Sequence, residues 1–250
     1  MDSSSEQRWR WTKREPRPPD SAWPFTYRFA YYFLFPHLIM PLLGGKEVYG
    51  KENVPLEGGA IVAPNHVSYV DPPLVAACLP RRTYFMAKRE LFELPILGRF
   101  MHDNYAFPVE RRGSDLVALR HAVEVLKAGE LLLIFPEGTR SEDGEIGPGE
   151  LGCALVAGRA GVPIVPCAVV GTERILPRGA KMLHRGRLYC AFGEPLRVER
   201  DAEGRLSREV LQAATDTLME RLRTLRQQML AVREERERAR HHRSAHTRGA

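Results

Sequence analysis

From residue 46 onward, the chain alternates short runs of consecutive apolar residues with longer stretches that have the spacing of amphipathic helices. The predicted strands are Ala60–Pro64, Thr83–Ala87, Tyr105–Val109, Leu131–Phe135, Pro163–Val169 and Arg187–Phe192. The predicted helices between them are Pro72–Leu79, Leu91–Met101, Ser114–Ala128 and Leu151–Ala160. Strands that are apolar throughout are typical of a parallel sheet covered by helices on both faces. We therefore predict an α/β fold, a single domain with a mainly parallel twisted sheet flanked by helices, because 250 residues suffice for only one such domain.

The part of the chain before this domain divides into a polar tail, residues 1–20, and an apolar segment, residues 21–45. The tail lacks the basic start and small-residue cleavage site of a secretory signal. As a helix, Phe29–Leu43 would reach roughly 22 Å, which is short of the ~30 Å hydrocarbon thickness, and two prolines interrupt it. Two interpretations stay open: a helix packed on the domain core, or a membrane-interface helical segment anchored by aromatic side chains. The aromatic side chains in question are Trp23, Tyr27, Tyr31 and Tyr32.

A long C-terminal helix is predicted from about Leu206 to Arg240, with apolar residues along one face as far as Val232. The domain is therefore assigned residues 46–232, and residues 233–250 form a basic tail. Residues 219–250 hold nine Arg and four Glu, which accounts for +5 of the net charge of +6. Such an excess favours an anionic partner near the C-terminus, and a membrane surface fits better than nucleic acid, because no aromatic stacking residues lie beside the arginines.

The four cysteines, Cys78, Cys153, Cys167 and Cys190, are widely spaced and form no metal-binding motif. We predict no metal site. Small buried thiols are typical of a reducing compartment, so the expected location is the cytoplasmic face of the cell membrane, with peripheral or monotopic attachment.

His66 and Asp71 follow the strand Ala60–Pro64 directly and precede a predicted helix. Asp71 is followed by two prolines, as expected for a helix N-cap and first turn. A loop histidine folded back onto a carboxylate makes a base able to deprotonate a hydroxyl. The plain alternative is a loop histidine beside a capping aspartate, which this short motif does not exclude.

Two further polar clusters follow predicted strands. Glu137 and Arg140 flank Gly138 and Thr139 directly after Leu131–Phe135, where open α/β sheets build their sites and where glycine allows a close approach of the backbone. Arg111 follows Tyr105–Val109, and its guanidinium suits a phosphate. An ion-paired turn and a surface arginine are the alternatives for these two clusters.

Taken together, in this order, these blocks resemble the glycerolipid acyltransferase family, whose best-known members are the 1-acyl-sn-glycerol-3-phosphate acyltransferases. The matching blocks are Asn65–Asp71, Phe107–Arg111, Phe135–Ser141 and Val162–Pro166. The resemblance extends from about Val48 to Pro195 and does not include the polar N-terminus or the arginine-rich tail.

The resemblance implies an O-acyltransferase that moves a fatty acyl group from an acyl thioester to a hydroxyl of lysophosphatidic acid. It implies that His66 is the general base and that Asp71 orients it. It also implies that the acceptor's glycerol phosphate is held by Arg111 and by the turn formed by Glu137, Gly138, Thr139 and Arg140. No bound cofactor is implied, because acyl-CoA or an acyl carrier protein would be a cosubstrate.

Glu150 stands where many members of the family carry a lysine. A carboxylate facing the site would weaken phosphate binding, which leaves open another lysophospholipid or polar-lipid acceptor. An alternative of a different class is a catalytically silent lipid-binding scaffold. The joint presence of His66, Asp71, Glu137 and Arg140 argues against a scaffold, which has no need for a base and its acid.

Overall fold

The computed structural model describes residues 29–94, 98, 101, 105–109, 116–180 and 182–248. Among them, seven strands form one sheet in the order β1-β7-β6-β2-β5-β3-β4. The strands are β1 (Lys46–Tyr49), β2 (Ala60–Pro64), β3 (Thr83–Lys88), β4 (Ala106–Val109), β5 (Leu131–Leu133), β6 (Ile164–Val170) and β7 (Leu188–Phe192). Every neighbouring pair is parallel except β6 and β7. The prediction of a mainly parallel α/β fold is confirmed.

Helices cover both faces of this sheet. They are a π-type helix (Phe29–Ile39), α1 (Met40–Leu43), α2 (Asp71–Ala76), α3 (Arg89–Phe92), α4 (Leu116–Lys127), α5 (Gly152–Ala160), α6 (Thr172–Ile175) and α7 (Arg208–Arg248), with a 3₁₀ turn at Lys51–Asn53. Successive residues of β2 alternate between the two cores: Ile61 packs with α4, α5 and α7, while Val62 packs with α1 and α2. This double burial explains why the strand is apolar at every position.

One strand was not predicted, and two predicted helices differ from the structure. Strand β1 was not predicted, because its half-buried Lys-Glu-Val-Tyr sequence at the sheet edge lacks the apolar signal of the central strands. The helix predicted at Pro72–Leu79 is α2, which ends at Ala76. The helix predicted at Leu91–Met101 overlaps α3 only at its start, and much of its remainder lies outside the described residues.

Among the described side chains of the apolar segment before β1, those near its end, Ile39, Met40 and Leu43, meet the core. Met40 and Leu43 are buried against the sheet, as the core-helix interpretation requires, whereas Phe33, Leu38 and Leu42 are exposed. In the part of the chain that the structure describes, none of the helices has the length and apolar character needed to cross a bilayer.

Helix α7 is longer than predicted and docks beyond Val232. Leu218 and Leu222 are fully buried in the core. Farther along, Arg233 Nη1 donates to Glu173 Oε1 at 2.7 Å, and Arg236 Nε donates to Glu47 Oε2 at 3.2 Å. These ion pairs tie the start of the basic tail to α6 and to the edge strand β1.

Candidate active site

The site lies where β2 and β5 end. The two strands are hydrogen-bonded neighbours and run parallel, so the segments that follow them, starting at Asn65 and Ile134, leave the sheet at the same edge. The topology therefore brings residues 65–70, which we call the His66 loop, against the turn that contains Glu137. The loop and the turn are joined directly: Ser141 N–H donates to the His66 carbonyl at 2.8 Å.

Asn65 fixes the point at which the loop leaves β2. Its side-chain amide donates to the Val169 carbonyl at 3.0 Å, and its Oδ1 accepts the Val169 N–H at 2.7 Å. Both groups of Val169 lie on the side of β6 that faces β2, just beyond the last paired residues, Pro64 and Cys167. The buried Asn65 side chain thus replaces the backbone of one further strand residue, and His66 follows it immediately.

His66 and Asp71 form the pair that the sequence predicts. His66 Nδ1 lies 2.8 Å from Asp71 Oδ2, and the same oxygen accepts the N–H groups of Val67 and Ser68, each at 2.8 Å. Asp71 is fully buried, while the His66 side chain is 13% exposed. A carboxylate oxygen accepts hydrogen bonds, so the contact with Asp71 Oδ2 is satisfied when Nδ1 carries the proton, and Nε2 is then the ring nitrogen with a free lone pair.

Asp71 is not the N-cap that its position before two prolines suggests. Val70 is the N-cap, and Asp71 is the first residue of α2. An N-cap carboxylate needs backbone N–H groups in the following turn, and Pro72 and Pro73 have none to donate. The carboxylate turns back to the preceding loop instead, where it meets the imidazole.

The imidazole is also held by stacking. The rings of His66 and Phe135 lie 3.9 Å apart between centroids, with an interplanar angle of 27°. With one face against Phe135 and one edge on Asp71, the ring has little rotational freedom. An imidazole held in this way needs little reorganisation when another group approaches Nε2.

Glu137 makes contacts that the sequence did not predict. Its Oε1 accepts the His66 backbone N–H at 2.8 Å, and its Oε2 accepts the Gly147 N–H at 3.2 Å. Burial raises the pKa of this carboxyl group, and the two backbone hydrogen bonds oppose that rise. Glu137 therefore holds three segments of the site together, and its contact with substrate stays a prediction.

Position 138 requires glycine because of its backbone conformation and because of the little space around it. Its φ of 67° lies in the left-handed region. A Cβ at this position would lie 2.7 Å from Glu150 Oε1, so the group that approaches the glycine closely is a carboxylate of the same chain. Glu150 thus lies beside the turn that carries Arg140, with its side chain exposed to solvent, and Thr139 is exposed on the same turn.

Arg140 is a cation on this same turn. Its guanidinium carbon lies 3.5 Å from the ring centroid of Tyr69, a residue of the His66 loop. Such cation–π stacking orients the guanidinium plane without consuming its hydrogen-bond donors. Arg111, the other predicted phosphate-binding residue, lies outside the described residues.

Three residues that build the site had no predicted role: Asn65, Phe135 and Tyr69. Their only sequence signal is that they lie within or directly beside the predicted motifs. Among the described residues, no cluster of three or more His, Cys, Asp or Glu side chains is arranged to hold a metal ion.

Comparison with known proteins agrees with the fold and the motifs. Residues 46–170 match the family model described as acyltransferase. The 1-acyl-sn-glycerol-3-phosphate acyltransferase of Bacillus subtilis is 34% identical over 189 residues, covering 75% of this chain and 92% of that protein. The chloroplastic 1-acyl-sn-glycerol-3-phosphate acyltransferase LPAT1 of Arabidopsis thaliana is 32% identical over 186 residues, and this chain spans about half of its length, 52%.

A solved structure has the same fold. The crystal structure of the 1-acyl-sn-glycerophosphate (LPA) acyltransferase PlsC from Thermotoga maritima superposes with a TM-score of 0.58 and 28% identity, covering 78% of this chain and 76% of that one. The parallel sheet with its His–Asp pair is thus that of an α/β transferase. The chain belongs to the acyltransferase family.

Proposed function

We propose that this chain transfers a fatty acyl group from an acyl thioester to the free hydroxyl of 1-acyl-sn-glycerol-3-phosphate, which yields phosphatidic acid. The names of the Bacillus subtilis and Arabidopsis thaliana relatives support this acceptor. The observation that carries the proposal is the 2.8 Å contact between His66 Nδ1 and a buried Asp71 carboxylate. This contact leaves Nε2 as a base at the end of the sheet where β2 and β5 stop.

In the proposed reaction, His66 Nε2 takes the proton of the acceptor hydroxyl while the hydroxyl oxygen attacks the thioester carbonyl carbon. The C–S bond then breaks, and the imidazolium returns the proton to the departing thiolate. Asp71 stabilises the imidazolium between these two steps, because its carboxylate is ionised and fixed. The new ester and a free thiol are the products, and no acyl-enzyme forms.

The acceptor's phosphate needs a cation near this base. Arg140 supports that role, since its guanidinium lies on the Tyr69 ring beside the His66 loop. Gly138 and Thr139 lie on the same turn, and Glu137 aligns it with the His66 backbone. We include Arg111 in the acceptor site on the strength of the family resemblance alone. Acyl-CoA or an acyl carrier protein serves as the donor.

A lysophospholipid acceptor resides in a membrane, so the protein has to reach a lipid surface. The exposed side chains of Phe33, Leu38 and Leu42 support an interface role for residues 21–45, ahead of an acyltransferase domain at residues 46–232. We place the enzyme at the cytoplasmic face of the cell membrane, in peripheral or monotopic attachment.

A thiol-release assay tests the function. Purified protein is given labelled acyl-CoA or acyl carrier protein with lysophosphatidic acid, lysophosphatidylglycerol or no acceptor. We expect acceptor-dependent thiol release with lysophosphatidic acid as the preferred substrate. No thiol release with any pair of substrates would point to a lipid-binding scaffold.

The base is tested with His66→Ala. A general base supplies about a hundred- to ten-thousand-fold in rate, so kcat should fall by that factor, or about 3–5 kcal/mol of transition-state stabilisation, and Asp71→Asn should fall with it. His121→Ala is the matched control, because His121 lies on α4 and packs on Phe107 away from the loop. Near-parental turnover in folded His66→Ala protein would refute the mechanism.

A further inference from the structure

Residues 176–187, which we call the basic loop, connect α6 to β7. The loop contains Arg178, Arg185 and Arg187 and not a single acidic residue, and Lys181 within it lies outside the described residues. Next to these cations stand two large apolar side chains, Met182 and Leu183, which are 75% and 53% exposed. Arg178 is paired with Glu142 and Arg187 with Glu47, whereas Arg185 is exposed. Adjacent exposed apolar residues close to an exposed cation are a feature of surfaces that bind something apolar and anionic.

Both ends of the basic loop are held by hydrogen bonds, one to the His66 loop and the other to the end of α1. At the first end, Ser68 Oγ of the His66 loop donates to the Leu176 carbonyl at 3.0 Å. At the other end, Gly186 N–H donates to the Leu43 carbonyl at 2.6 Å, and Arg187 Nε donates to the Gly44 carbonyl at 3.1 Å. The loop therefore spans from the candidate active site to the end of α1.

The loop is also closed at its base, because His184 N–H donates to the Ile175 carbonyl at 2.7 Å. Ala180 N–H donates to the Pro177 carbonyl at 3.0 Å, which forms a turn within the loop. Met182 and Leu183 therefore lie between two hydrogen bonds that restrict the backbone of the loop.

We propose that the basic loop is a second membrane-binding element, which inserts Met182 and Leu183 into an anionic bilayer and sets Arg185 against a lipid phosphate. Apolar insertion beside basic side chains is the chemistry of interfacial anchors. The loop is hydrogen-bonded to Leu43 and Gly44, at the end of the apolar segment before β1, and Phe33 and Leu42 of that segment are exposed as well. The proposal rests on the proposed function in one respect, namely that the acceptor is a lipid held in the bilayer beside His66.

The test is flotation of the full chain with vesicles of phosphatidylcholine alone or of phosphatidylcholine with phosphatidylglycerol. The double variant Met182→Ser/Leu183→Ser should lower affinity for anionic vesicles by about tenfold, because two partly inserted side chains lose apolar burial. Arg185→Gln should lower it by about fivefold on anionic vesicles and not on neutral ones, and this difference should shrink at high salt.

Leu56→Ser is the matched control. Leu56 is 72% exposed, but it lies before β2, at the end of the strands opposite the site. Its replacement should therefore leave vesicle binding unchanged. Double-variant binding equal to that of the parent, or a loss no larger than that of Leu56→Ser, would overturn the proposal. Failure of the parent to bind pure lipid vesicles would overturn it as well and would indicate a protein partner.

A second assay separates this proposal from the proposed function. With a short-chain acceptor dissolved as monomers, the loop variants should release thiol at the parental rate, because no bilayer is involved. If the parent releases no thiol under these conditions, the proposed function fails while the flotation result stands. If a loop variant loses activity on the monomeric acceptor, the loop serves the chemistry and its role as a membrane anchor is refuted.

Discussion

Replacing Asn65 by alanine should destabilise the protein strongly, because one side chain satisfies two buried backbone groups. The Val169 N–H lies 2.7 Å from Asn65 Oδ1 and the Val169 carbonyl lies 3.0 Å from Asn65 Nδ2, in a fully buried environment. Each group left without a partner costs about 1–3 kcal/mol, so the expected loss of unfolding free energy is about 2–6 kcal/mol. This is a large part of the ~5–15 kcal/mol that stabilises a typical protein.

Urea denaturation followed by circular dichroism measures this loss. The midpoint should fall without a change in slope, and the melting temperature should fall by at least ~4 °C. Asn53→Ala is the matched control, because Asn53 donates a single hydrogen bond, to the Phe192 carbonyl at 2.9 Å, from a half-buried position. That variant should lose about 1 kcal/mol. A loss in Asn65→Ala no greater than that in Asn53→Ala would refute the view that Asn65 replaces a strand residue.

Three further predictions follow from the contacts around the site and the edge of the sheet. Tyr69→Ala should raise KM for lysophosphatidic acid about two- to fivefold with little change in kcat, because Arg140 loses a cation–π contact of about 0.5–1 kcal/mol, and Tyr69→Phe should restore the parental KM. Glu150→Lys should raise the ratio of turnover on lysophosphatidic acid to that on lysophosphatidylglycerol by several-fold at low salt, since Glu150 lies against the turn that carries Arg140. An unchanged ratio would mean that the charge of residue 150 does not affect acceptor binding. For Glu47, burial raises the pKa, but hydrogen bonds outweigh this and hold the pKa below its ordinary value of 4.5. The donors of these bonds are Tyr49, Arg187 and Arg236. The resulting stabilisation is present above pH 4.5 and is lost as the pH falls through the lowered pKa. The melting temperature of Glu47→Gln should therefore lie below that of the parent at pH 7 and match it in strong acid. Equal melting temperatures of the two proteins at both pH values would exclude a net contribution from this cluster.

The class of fold and the contact between His66 and Asp71 could be predicted from local patterns. Central strands such as β2 are buried on both faces, so each one is an uninterrupted apolar run that stands out in the sequence. His66 and Asp71 lie five residues apart, close enough for the loop itself to bring them together. The order of the polar blocks along the chain was sufficient for the family resemblance, which the comparisons confirm.

The strand order and the partners of the site residues were decided by tertiary structure. β2 pairs with β5 and β6, which come later in the chain than β3, and this arrangement brings Glu137 to the His66 backbone across 71 positions and Asn65 to Val169 across 104. Periodicity reports only which face of an element is apolar, whereas the pairing of such faces depends on packing between distant segments. The direction of the Asp71 carboxylate is a smaller case of the same kind: it turns towards the loop where backbone donors are present, and away from two prolines that offer none.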